Sequence, residues 1–150
     1  SFDRCLRSHK TVEVQMTVTE LNSAELIGSG RIELLDAFET NDFRAVLDGS
    51  GYLRINALAD RLTSRLTGSG NIDLIGEAGA QDISLSGSGN VKSFGMRSEN
   101  AGVSLSGSGN VEVNAANELA VTISGSGNVY YQGNPTINST ISGSGKVIKR

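Results

Sequence analysis

The sequence predicts an all-β chain, a single-stranded β-helix (β-solenoid) of about seven to eight coils with 18–21 residues each. Two observations carry the solenoid. The tripeptide Gly-Ser-Gly begins at Gly28, Gly49, Gly68, Gly87, Gly107, Gly125 and Gly143, and this accounts for fourteen of the nineteen glycines. Around it, apolar and polar residues alternate, as in Ile83-Ser84-Leu85-Ser86 and Asn110-Val111-Glu112-Val113, a period of two that belongs to strands. A copy this short cannot make a four-stranded propeller blade, which takes about 40–45 residues. It suits one coil of a stacked array.

The elements follow in chain order. Residues 1–11 show no pattern and form an irregular N-terminal segment, and the β-helix domain runs over 12–150. Its first strand is the alternation of Val12, Val14, Met16 and Val18 with Glu13, Gln15 and Thr17, an opening coil or edge strand. The seven copies then keep two unbroken apolar columns. Two residues before the first glycine stand Leu26, Leu47, Leu66, Leu85, Leu105, Ile123 and Ile141; four after it stand Ile32, Leu53, Ile72, Val91, Val111, Val129 and Val147. Strands of four or five residues are expected to flank each corner, with stretches such as "GEAGA" and "NAAN" as turns.

Structural roles fall to Gly68, Gly70 and Asn71, to Gly87, Gly89 and Asn90, to Gly107, Gly109 and Asn110, and to Gly125, Gly127 and Asn128. The glycines permit φ > 0 or close packing against the next coil. The asparagines tolerate a left-handed corner and, stacked in register, form an amide ladder. Arg31 and Lys146 end that row with charges that discourage open-edge pairing. In the last coils, Tyr131 shares a column with Leu34, Ile55, Leu74 and Val113 and packs at the end of the core. Tyr130, its neighbour on the strand, then faces solvent as a candidate ligand contact.

Composition narrows function. A net charge of −3 without a basic stripe argues against nucleic acid, and no run is long and apolar enough for a membrane helix. Cys5 alone makes no intrachain disulfide, and His9 is the single histidine, in the irregular segment; together they cannot build a zinc site or a Ser-His-Asp mechanism. The seven serines lack the G-x-S-x-G elbow, "GSGNV" lacks the rest of a dinucleotide loop, and the copies lack the aspartate of calcium-binding β-helix repeats. The inner cations Arg54, Arg61, Arg65, Lys92 and Arg97 form no repeated column that would supply a lyase base. No cofactor or metal is expected.

The repeated "SGSGNV" strings, with the closing "VYYQGNPTINSTISGSGKV", resemble the GIN domain family, the head domain of an adhesin-like class of auto-transporters, over roughly residues 12 to 150. The resemblance implies a right-handed parallel β-helix of bacterial envelope, lipoprotein or secreted proteins. The reading is therefore a non-catalytic, adhesin-like module of the cell envelope, periplasmic-facing or extracellular. Such a module presents a rigid face to a glycan, a surface protein or a second copy. A polysaccharide lyase and a structural spacer are the alternatives.

Overall fold

In the computed structural model, which describes residues 21–150, both apolar columns become ladders. Leu26, Leu47, Leu66, Leu85, Leu105, Ile123 and Ile141 lie one above the next, and so do Ile32, Leu53, Ile72, Val91, Val111, Val129 and Val147. The result is a parallel β-solenoid of about seven turns. In the inner coils these side chains are 0–1% exposed, each burial stabilising by roughly 1.5–3 kcal/mol. Ile141, in the last coil, is 42% exposed because only one neighbour covers it.

The strands are β1 (Ser23–Gly28), β2 (Arg31–Glu33), β3 (Phe38–Gly49), β4 (Tyr52–Gly68), β5 (Asn71–Gly87), β6 (Asn90–Gly107), β7 (Asn110–Gly125), β8 (Asn128–Gln132), β9 (Thr136–Gly143) and β10 (Lys146–Lys149). β4 to β7 each run a whole coil of 16–18 residues, longer than the four or five expected from the sequence. The stretch "GEAGA" stays in the ladder: Gly76, Glu77, Ala78 and Ala80 pair with Ala57, Leu58, Ala59 and Arg61. Pairing survives the bends because each coil bends directly over its neighbour.

The bends show in the phase of burial. In β5 the buried residues are Ile72, Leu74 and Ala78, then Gln81, Ile83 and Leu85; in β6 they are Val91 and Ser93, then Met96 and Ser98, then Ala101, Val103 and Leu105. Each coil therefore has a first side after the Gly-Ser-Gly corner, a short connecting stretch, and a last side leading to the next corner. Differences in coil length are absorbed in the connecting stretch. Between β6 and β7 the register passes from Ser93↔Val113 to Arg97↔Asn114, so Phe94, Gly95 and Met96 bulge out of the ladder while Met96 fills the core at 0% exposure.

The two glycines of each corner do different work. Gly87 has φ 125°, a conformation that L side chains rarely adopt. Gly89 does not have a positive φ, but a Cβ there would sit 2.3 Å from the carbonyl oxygen of Gly70 in the coil before it. That contact is set by hydrogen bonding: Ser88 and Gly89 donate their N–H groups to the Gly68 carbonyl at 3.1 Å, and Asn90 donates to the Gly70 carbonyl at 3.1 Å. The expectation that asparagine occupies a left-handed corner is corrected. Among the described residues only glycines have positive φ, so the bend belongs to the first glycine and the asparagines are extended.

Candidate binding face

The asparagine row lies on the first side. Asn90 donates its side-chain amide to Asn71 Oδ1 at 3.2 Å, and Asn110 does the same to Asn90 Oδ1 at 3.4 Å. The next two rungs change mode: backbone N–H groups of Asn128 and Lys146 donate to Asn110 Oδ1 at 3.3 Å and Asn128 Oδ1 at 3.2 Å. These amides are engaged with one another. The geometry is that of a strut between coils.

Beside it runs a second row that the sequence reading missed. Glu33, Arg54, Asp73, Lys92 and Glu112 stack in register, followed by Tyr130 and Ile148. Arg54 and Lys92 therefore do share a column, correcting the expectation that the inner cations form none. They are separated by Asp73, so the column alternates in sign. Near its start, Arg31 pairs with Glu33 at 3.0 Å and lies 4.6 Å from the centroid of the Tyr52 ring, whose hydroxyl donates to Asp73. Burial, that hydrogen bond and the Asp73 charge, in that order, raise the Tyr52 phenol above its usual 10.0. At the other end, the Arg150 guanidinium lies 4.2 Å from the centroid of the Tyr130 ring, and both Tyr130 and Tyr131 are half-buried. Tyr131 packs against the core.

The last side is different in chemistry. Its outward positions carry Ser84, Ser104, Thr122 and Thr140 in one column and Ser86, Ser106, Ser124 and Ser142 in the next, all exposed. The corner serines Ser88, Ser108, Ser126 and Ser144 add a third row. Strand geometry sets the spacing at about 4.7–4.9 Å between coils and about 6.6 Å along each strand. Within this grid the one hydrogen bond between hydroxyls is Ser144 to Ser126 at 3.2 Å. The adjoining column, Thr63, Asp82, Gly102, Ala120 and Asn138, is low in the middle because Gly102 and Ala120 are small. An open trough of about 1260 Å³ runs over this side, touching Arg65, Asp82, Ser84, Gly102, Ser104 and Thr122.

The hydroxyl grid was open to discovery in the sequence, as the residues one and three places before the first glycine in the last four copies, at Gly87, Gly107, Gly125 and Gly143. Attention to the apolar half of the alternation passes over it. The predicted residues fall elsewhere: the asparagines and Tyr130 are on the first side, and the glycines are at the corners. Cys5, His9, the strand over 12–18 and the domain boundary after residue 11 lie outside the described residues. Among the described residues no three His, Cys, Asp or Glu side chains come together as a metal site, and no helix is long and apolar enough to cross a membrane.

Comparison with known proteins agrees with this architecture. A "putative lipid binding protein" from Parabacteroides distasonis is 31% identical over 85% of this chain and 52% of its own, with a TM-score of 0.84. A "putative adhesin" from the same organism is 25% identical over 85% of this chain and 55% of its own, with a TM-score of 0.83. A "putative adhesin" from Bacteroides fragilis, 22% identical over 87% of this chain and 61% of its own with a TM-score of 0.78, supports the fold alone. The chain thus spans only part of each, 52% to 61% of their lengths. No curated protein matches the sequence. Residues 2–135 match the family model "Putative auto-transporter adhesin, head GIN domain", so the chain belongs to the GIN domain family.

Proposed function

We propose that this chain is a non-catalytic binding module of the cell surface, one that presents the last side of its coils to an extracellular glycan or surface protein. The observation that carries this reading is the exposed hydroxyl grid over β5, β6, β7 and β9. It is a rigid, periodic set of donors and acceptors, almost all of them without a protein partner. Each hydrogen bond across such a face contributes only about 0.5–1.5 kcal/mol net, so useful affinity requires many made in register by an extended partner. Membership of a family described as an adhesin head supports the surface setting and the absence of chemistry. Tyr130 is at most a secondary contact, since Arg150 already stacks on its ring.

A lipid, the ligand class by which the 31%-identical relative is named, is the second reading. It is less favoured by outward positions that are hydroxyl rather than apolar.

The test is a glycan and matrix-protein array probed with the natural chain and with the double variant Ser104→Arg, Thr122→Arg. Both positions are exposed, so the variant folds. We expect one class of bound target in the first case and its loss in the second, at an unchanged melting temperature. Binding retained by the variant would displace the site, and release of unsaturated sugar would establish a lyase instead.

A further inference from the structure

We propose that the alternating-sign column Glu33, Arg54, Asp73, Lys92, Glu112 encodes the order in which the coils stack. The Gly-Ser-Gly corners cannot do so. Residues 84–91 and 104–111 are identical, 122–129 differs from them at its first two residues, and every copy keeps the same two apolar columns and two glycines. A coil that skips its neighbour, within one chain or by exchange with a second, keeps its apolar ladder and its glycine corner, and between Asn71 and Asn110 its asparagine row as well. It fails at the charged column. Native stacking sets Glu33 beside Arg54, Arg54 beside Asp73, Asp73 beside Lys92 and Lys92 beside Glu112, each pair opposite in sign. Skipping one coil sets Glu33 by Asp73, Arg54 by Lys92 and Asp73 by Glu112, every pair alike. With neighbouring strands about 4.7–4.9 Å apart, like charges directly opposed on a sheet are destabilising.

All five side chains are exposed or half-buried, so each pair contributes little to the native state alone. Their effect is on the difference between right and wrong stacking, where lost attraction and gained repulsion add over several rungs.

The experiment refolds the chain by rapid dilution from denaturant at low salt and measures the fraction recovered as native monomer by size exclusion and circular dichroism. Lys92 is exposed, so its variants fold. Lys92→Gln removes native pairs without favouring a skipped coil and should recover close to the natural yield. Lys92→Glu sets like charges beside Asp73 and Glu112 in the native stack and makes the skipped contact with Arg54 attractive. It should lower the ratio of native monomer to misassembled product roughly fivefold, the sum of several surface pairs. That loss should vanish near 1 M salt, where screening reaches about 3 Å. Equal yields for Lys92→Glu and Lys92→Gln would overturn the proposal, as would a Lys92→Glu loss indifferent to salt.

Discussion

Replacing Gly89 by alanine is the sharpest perturbation of the stack. The new Cβ would lie 2.3 Å from the Gly70 carbonyl oxygen and 2.8 Å from Leu66 Cδ2. The first partner is backbone, so the two coils must separate by about an ångström to reach ordinary contact. Separation stretches the bond from the Asn90 N–H to the Gly70 carbonyl, now 3.1 Å, and loosens the Leu66 contact beneath it. Overpacking of this kind costs about 1–3 kcal/mol and a weakened backbone hydrogen bond about 1 more, giving about 3 kcal/mol. For a chain of this size that is a fall in Tm of roughly 6–12 °C. Two controls isolate the cause. Ser88→Ala removes an exposed hydroxyl and should stay within about 0.5 kcal/mol of the natural chain. Gly102→Ala is the same chemical change, but its Cβ meets only the end of the Asp82 carboxylate, at 2.9 Å, which can rotate away. Alanine there should hold Tm level or raise it by roughly 1–4 °C, since glycine within a strand costs about 0.5–1 kcal/mol. Thermal melts by circular dichroism read all three. A Gly89→Ala melt at or above that of Ser88→Ala would refute coil-on-coil contact as the reason for the second glycine.

Three further outcomes follow from the interior and from Tyr52. Leu85→Ala, at a position 1% exposed between Leu66 and Leu105, should cost about 2–5 kcal/mol in denaturant titration. Gln81 is wholly buried, donates Nε2 to Ser93 Oγ and leaves its Oε1 without a partner. Ser93→Ala alone should therefore destabilise by about 1–3 kcal/mol, whereas Gln81→Leu with Ser93→Ala should match or exceed the natural stability. The folded state holds the Tyr52 proton more tightly than the unfolded chain. Its contribution is therefore intact below pH 10.0 and is lost as pH rises through the higher folded value. Between pH 10.0 and that folded value, Tm should fall less steeply with pH for Tyr52→Phe than for the natural chain, and parallel slopes across that interval would contradict the assignment.

The solenoid was legible because its rules are local and repeated. One alternating strand such as Ile83 to Ser86 is ambiguous; seven copies aligned on Gly-Ser-Gly place Leu85 and Val91 on a shared interior. The continuity of the strands was not legible. "GEAGA" has turn composition, and only the coil beneath it, Ala57 to Arg61, explains why it remains paired. The charged column escaped for a related reason. Glu33, Arg54, Asp73, Lys92 and Glu112 each differ from the residue below, and a search for conserved columns discards a row defined by alternation. Gln81 breaks the apolar pattern of the core, and its partner Ser93 comes from the next coil, a pairing fixed by the interior rather than by spacing. The hydroxyl grid was present in the sequence as plain serine and threonine, ordinary for exposed strand positions. It gains meaning only once Ser84, Ser104, Thr122 and Thr140 are seen in one row.

The most direct test of the binding account is amide hydrogen exchange of the natural chain with and without the target recovered from the array. We predict added protection concentrated in residues 82–88, 102–108, 120–126 and 138–144, the last sides and corners of successive coils, with the asparagine side unchanged. Protection confined to the row of Asn71, Asn90 and Asn110, or none at saturating target, would contradict it.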